Sequence, residues 1–280
     1  MTAVSRVTQA FEKASSENRA ALIGYLPAGF PSVDGAITAA LAMAEAGADI
    51  VEVGLPYSDP LMDGPVIQQA VHAALTRGTR IADVLHTVEA LASAGVPALI
   101  MTYWNPVDHY GVDRFARDLA AVGGAGLITP DLTPEEAGPW LEASDAYGLD
   151  RVFLVAPSST DARIATISGL CRGFVYAASL MGITGARATV SDRAAGLVER
   201  VKAHTAVPVA VGLGVRDGEQ AAQVAGFSDG VIVGSAFVQR LLDSPDGPAG
   251  AAAVRDLAAD LAAGVRARSA SAGGQATGSG

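Results

Sequence analysis

The sequence predicts an α/β fold closed into a (β/α)8 barrel, and three observations predict it. Short β-branched runs alternate eight times with longer Ala-rich segments of helical spacing, the pattern of strands joined in parallel through helices. The runs are continuously apolar instead of alternating, as strands buried on both faces require. The chain has 280 residues, a length that a single barrel of about 250 residues accommodates. The expectation is therefore a single-domain barrel of the TIM type over residues 1–268, with an extra N-terminal helix and inserted βα loops.

Each element follows from its local pattern. Helical spacing at 4–18 precedes a first apolar run at 21–26, and an Ala-rich helix at 32–46 leads to a second run at 49–53. A stretch rich in Pro, Asp and Gly follows at 55–64, then an additional helix at 65–77 and another at 81–94. Strands at 98–103, 126–129 and 151–155 alternate with helices at 112–122, 134–147 and 161–170. The strand at 174–177 is followed by a second long loop at 180–189, carrying Gly182, Thr184 and Gly185, and by a helix at 190–204. Strands at 207–211 and 230–233 flank a helix at 217–225, and helices at 236–242 and 250–266 close the fold. Residues 269–280 are Gly, Ser, Ala and Thr with a single Gln and are expected to be a disordered tail. The two long loops follow strands, so they belong to the barrel face that carries catalytic residues.

Composition narrows the function. Nineteen Lys and Arg against 29 Asp and Glu leave a formal net charge of −10, which argues against nucleic-acid binding through cationic phosphate contacts. One phosphate in a pocket is unaffected by that argument. Cys171 has no partner for an intramolecular disulfide, so no oxidising compartment is implied. The first twenty residues carry Glu12, Lys13, Glu17 and Arg19 and no apolar run, unlike a signal peptide. No apolar stretch reaches membrane-spanning length. A cytoplasmic location is expected.

Glu52 is the strongest chemical anomaly. It sits in Asp49-Ile-Val-Glu-Val-Gly54, a strand that must be buried. A carboxylate buried without a partner raises its pKa, and a strand-end acid at the catalytic face is a candidate general acid/base. The structural alternative is a Glu bonded to neighbouring hydroxyls. The following loop supplies Asp59 and Asp63, either of which can face Glu52 across the barrel mouth and divide the acid and base roles. Asp63 before Gly64 can equally cap the next helix. At the C-terminal end, Val211-Gly-Leu-Gly-Val215 and Val231-Ile-Val-Gly-Ser-Ala236 end the last two strands. Glycines there expose backbone N–H groups, and Gly234-Ser235 opens a helix whose N-terminus favours an anion. Loops after strands seven and eight commonly hold phosphate in this fold.

Absences discriminate too. The two lysines, Lys13 and Lys202, fall on helices, so no strand end offers an imine-forming lysine. His72, His86, His109 and His204 form no ligand pair with one another or with a cysteine, so no metal site is expected. No Gly-x-Gly-x-x-Gly follows the first strand, which disfavours a dinucleotide. What remains is a barrel that holds a phosphate and works with carboxylates: proton transfer, isomerisation, elimination and retro-aldol cleavage all fit.

The segment Glu52-Val-Gly-Leu-Pro-Tyr-Ser-Asp-Pro-Leu-Met-Asp-Gly-Pro65 closely resembles the signature of the tryptophan synthase alpha chain family. Gly24-Tyr-Leu-Pro-Ala-Gly29, Tyr103-Trp-Asn-Pro106, Pro130-Asp-Leu132, Ser179-Leu-Met-Gly-Ile-Thr-Gly185 and both late glycine motifs fit the same family, in order, from Val4 to Arg268. The resemblance implies a carbon–carbon lyase of tryptophan biosynthesis that cleaves indole-3-glycerol phosphate to indole and glyceraldehyde 3-phosphate. It implies Glu52 and Asp63 as the catalytic pair, with Asp63 at the indole nitrogen. It puts Tyr103, Tyr176 and Thr184 beside the substrate, and Gly185, Gly212, Gly214, Gly234 and Ser235 at the phosphate. It implies no cofactor in this chain. The partner is a beta chain that carries pyridoxal phosphate, in an alpha2beta2 heterotetramer, and the surfaces near Asp59-Pro60 and 103–109 resemble those used in that pairing. Leu213 stands where many members carry Phe, and Thr133 where Pro is common. Three readings stay open: a subunit of tryptophan synthase, a stand-alone lyase releasing free indole, and a non-catalytic allosteric subunit, which the intact Glu52 and Asp63 disfavour. A generic phosphosugar isomerase is a weaker fourth.

Overall fold

A computed structural model describes residues 5–178 and 190–272. Among these residues, eight strands close into one parallel barrel in sequence order. They are β1 (Ala21–Pro27), β2 (Ile50–Gly54), β3 (Ala98–Met101), β4 (Gly126–Thr129), β5 (Asp150–Val155), β6 (Val175–Ala178), β7 (Val209–Gly212) and β8 (Gly230–Val233). Twelve helices surround them: α1 (Arg6–Ser16), α2 (Val33–Glu45), α3 (Pro65–Thr76), α4 (Ile81–Ser93), α5 (Trp104–Tyr110), α6 (Val112–Ala121), α7 (Gly138–Tyr147), α8 (Asp161–Leu170), α9 (Val190–Lys202), α10 (Gly218–Ala225), α11 (Ser235–Leu242) and α12 (Gly247–Ala272).

The barrel is filled in layers by the two-residue period of its strands. Ile23, Ile50, Leu99, Ile128, Val152, Phe174, Ala210 and Ile232 form a buried inner layer. Val7, Phe11 and Ala14 of α1 pack beneath it and plug the N-terminal end. This explains the extra helix: an open barrel bottom would leave that layer in water, and Ser5 caps α1 by accepting from the Thr8 N–H at 3.0 Å. Two residues further along the strands, the same inward positions become Tyr25, Glu52, Met101, Leu154, Tyr176, Gly212 and Gly234, and they line a cavity. The outer faces of the strands pack on the helices in a larger core.

Several boundaries differ from expectation. The third strand was expected to run to 103 but ends at Met101, and a short helix, α5, begins at Trp104. Its first N–H donates to the Asp131 carboxylate, at 2.9 and 3.1 Å to the two oxygens. The cap thus comes from a residue 27 positions away, which local pattern does not reveal. The helix expected at 134–147 begins only at Gly138. The last helix reaches Ala272, into the segment expected to be a tail; residues 273–280 lie outside the described residues, as does the loop with Thr184 and Gly185. No described helix is long and apolar enough to cross a membrane.

Candidate active site

Strand alternation from Ile23 and Ile50 turns Tyr25 and Glu52 inward, and the β1–β2 register pairs them directly. Glu52 is 1% exposed, and its Oε1 has no hydrogen-bond partner among the described residues. The structural alternative, a Glu tied down by neighbouring hydroxyls, therefore fails for that oxygen. Burial alone pushes the carboxyl up to about 8, so at neutral pH it holds a proton. A protonated acid facing a cavity is equipped to donate.

Asp63 lines the same cavity. It does not cap the next helix: α3 has Gly64 as its N-cap, Pro65 in its first turn and no side-chain cap. Its carboxylate instead accepts from the Tyr103 hydroxyl at 3.2 Å. That hydroxyl also accepts the Met62 N–H at 2.8 Å, so Tyr103 holds the acid loop at two successive residues. Tyr103 is not among the cavity-lining residues; its ring centroid lies 5.6 Å from that of Tyr57, the two rings tilted by 39°. Burial raises the Asp63 carboxyl from its ordinary value, and the Tyr103 hydrogen bond opposes the rise. Asp59, the other loop acid, accepts from the Ser58 hydroxyl and is exposed outside the cavity.

Gly212, Gly214, Gly234 and Ser235 line the same cavity from the ends of β7 and β8, with β1 between β8 and β2. Gly214 has φ +73°, a left-handed conformation that turns the β7 loop away from the sheet. Gly212 makes room for a ring: a Cβ there would lie 2.5 Å from the Tyr176 hydroxyl. Gly54 does the same for Tyr25, at 2.3 Å. Both phenols are held neutral: burial raises their pKa values, Asp63 adds to the rise at Tyr25, and Glu52 adds to it at both once that carboxyl has lost its proton. Ser235 is the first residue of α11, and no side chain caps that helix.

The cavity measures about 350 Å³. Its wall includes residues that the chemical reading of the sequence passed over: Tyr25, Met62, Ile67, Met101, Leu154 and Arg216. The inward period of the strands would have found Tyr25, Met101 and Leu154; Met62, Ile67 and Arg216 depend on how loops fold over the mouth. Met62, Ile67, Met101, Leu154 and Ile232 give it an apolar wall suited to an aromatic ring, and the acids and the glycine loops share the same space. Among the described residues, no three His, Cys, Asp or Glu side chains gather as a metal site.

A family model described as tryptophan synthase alpha chain matches residues 11–265. The chain belongs to the tryptophan synthase alpha chain family. The alpha chain of Salinispora tropica is 62% identical over 263 residues, 94% of this chain and 98% of that one. The Thermobifida fusca alpha chain is 60% identical over 258 residues, 91% and 96% of the two chains. Among solved structures, tryptophan synthase from M. tuberculosis superposes with a TM-score of 0.86 at 54% identity, covering 94% of this chain and all of that one. The alpha subunit from Legionella pneumophila gives 0.86 at 30% identity, covering 94% and 99%. Family alpha chains catalyse the lyase cleavage of indole-3-glycerol phosphate to indole and glyceraldehyde 3-phosphate, and this chain is such a lyase. The family's pyridoxal phosphate belongs to the beta chain. The stand-alone and non-catalytic readings are not favoured.

Proposed function

We propose that the cavity at the strand C-termini binds indole-3-glycerol phosphate and that Glu52 and Asp63 perform its cleavage. One observation carries this reading: a buried carboxyl lifted to about 8 shares a cavity with a second carboxylate and with the two glycine loops. The ring lies on the apolar wall and the phosphate meets the N–H groups of Gly212, Gly214, Gly234 and Ser235. Glu52 delivers its proton to indole C3. The ring nitrogen takes the positive charge, and Asp63 stabilises it through the N–H. The Glu52 carboxylate then removes the proton of the 3′-hydroxyl, the carbon–carbon bond breaks, and its electron pair returns to the ring. Indole and the aldehyde leave with Glu52 protonated again, so protons balance and neither an imine nor a metal is required.

Family alpha chains work with a beta chain in an alpha2beta2 complex. Leu61, 76% exposed, and Met62 are the large apolar side chains that the described residues leave in water, both on the acid loop. A groove lined by Leu55, Tyr57, Pro106 and His109 adjoins that loop. An exposed apolar patch beside a groove marks a docking surface, so the beta chain seats there and bears on the loop that carries Asp63. The cytoplasm is the compartment this reading implies, and cell fractionation tests it.

Indole release from indole-3-glycerol phosphate, with and without a beta chain, is the deciding measurement. Slow release that rises strongly with the partner is expected; fast release by the chain alone would sink the subunit reading. Glu52→Gln should lower kcat by at least about a hundredfold, the scale of one acid–base group, while substrate still binds. Asp63→Asn should also be severely impaired, with phosphate binding intact. Normal turnover in either variant removes that residue from the mechanism.

A further inference from the structure

Arg216 has no role in the mechanism above, yet it lines the cavity. It follows β7 by four residues, next to the Asp217 that caps α10. Arg216 and Ser235 are the two residues that line both the catalytic cavity and the groove beside it, whose other walls are Val66, Ala236, Gln239 and Arg240. Arg216, an exposed residue, therefore stands where the β7 loop meets the first residue of α11. The backbone N–H of Arg216 donates to the Gln220 Oε1 at 3.0 Å, which anchors the loop. Its side chain makes no ion pair or hydrogen bond with the other described residues, and Arg216 is the one basic residue among those described that line the cavity, beside the acids Glu52 and Asp63.

Charge arithmetic shows why this matters. A phosphate monoester carries about −1.5 to −2 at neutral pH. The end of α11 supplies about +0.5 of an elementary charge, and the exposed N–H groups are neutral dipoles. The chain itself has a formal net charge of −10, so the long-range field repels the ligand. Neutral donors leave most of the phosphate charge without a counter-charge.

We infer that Arg216 is the cationic partner of the substrate phosphate and sets the chain's affinity for a phosphorylated ligand. This rests on the reading of the cavity given above. A guanidinium presents paired N–H groups that match two phosphate oxygens. From the β7 loop it reaches the phosphate beside Ser235, with which it shares both spaces. Arg216 binds; it does not touch the reacting carbon and takes no part in proton transfer.

The test uses the complex with the beta chain, in wild type, Arg216→Gln and Arg216→Lys forms, at low and high salt. For Arg216→Gln, KM for indole-3-glycerol phosphate should rise about tenfold at low salt, the scale of one charge-assisted contact, with kcat within about twofold. The salt dependence of KM should shrink in the Gln variant, because screening acts on the missing charge. Arg216→Lys should recover part of the loss. Calorimetric titration with glyceraldehyde 3-phosphate should show the same weakening. An unchanged KM, an unchanged salt dependence, or a Lys variant as impaired as the Gln variant overturns the inference. If the wild-type complex fails to cleave the substrate, the proposed function falls. The titration then decides Arg216 alone: equal affinity in wild type and Gln variant, or no binding to either, overturns it.

Discussion

Glu52 links burial to both chemistry and stability. Its ordinary value is 4.5 and its folded value is about 8, and the cause is desolvation. A raised folded pKa means that the folded chain binds the proton more tightly than the unfolded one. Its contribution is fully present below pH 4.5 and is lost as pH rises through about 8. Glu52→Gln keeps the shape and removes the charge, so the variant should gain stability over wild type as pH rises across that window. Urea unfolding at a series of pH values checks this, and a constant gap between the two proteins would show that Glu52 is not the group that titrates. Turnover by wild type should fall above about pH 8, as the donor loses its proton. In the same cavity, Ser235→Asp puts a carboxylate at the start of α11, where the phosphate is proposed to sit. KM should rise by about tenfold or more through like-charge repulsion, and an unchanged KM would move the phosphate elsewhere.

Among the elements, α5 shows how a remote side chain supports the site. Its N-cap residue is Tyr103, whose hydroxyl grips Asp63 and Met62. Its first N–H is satisfied by Asp131, from the loop after β4. Asp131→Ala should therefore destabilise the chain by about 1 kcal/mol, the usual cost of a lost cap. It should also lower kcat severalfold by loosening Tyr103, since a slight misplacement of an acid is costly to rate. Thermal unfolding and steady-state kinetics measured on the same variant separate the two effects. Loss of stability with full kcat would show that Tyr103 is positioned by its own packing.

Across the whole molecule, stability and chemistry occupy opposite ends of the barrel. Arg19, buried before β1, forms a two-pronged ion pair with Asp49, at 2.6 and 2.8 Å. Asp49 also accepts the Leu22 N–H at 2.9 Å, which ties the entrances of β1 and β2 together. Asp49→Ala leaves the buried guanidinium with Glu17 and the Ala20 carbonyl as its partners and should cost about 1.5–3 kcal/mol, the scale of hydrogen bonds to a charged group. The cavity lies at the other end, so kcat per folded molecule should hold; a specific loss of kcat at full stability would contradict that separation. Much of this architecture was legible in the residues. Continuous apolar runs gave eight strands, two of them, at 126–129 and 230–233, with the very bounds observed, because a strand buried on both faces tolerates no polar residue. Glu52 stood out for the same reason. Asp63 was less legible, since a loop Asp before Gly reads equally as a cap; only the folded loop shows Gly64 taking the cap and Tyr103 taking the carboxylate. The start of α5, the plug made by α1 under the barrel and the place of Arg216 at the rim of the cavity were likewise decided by how distant segments come together. The sequence by itself determined the alternation, the barrel and the chemical identity of the acids, because hydrophobic period and residue type are local properties. Tertiary structure alone decided which groups share the cavity and which acid is deprived of partners, because desolvation and hydrogen-bond satisfaction depend on neighbours that closure of the barrel brings together.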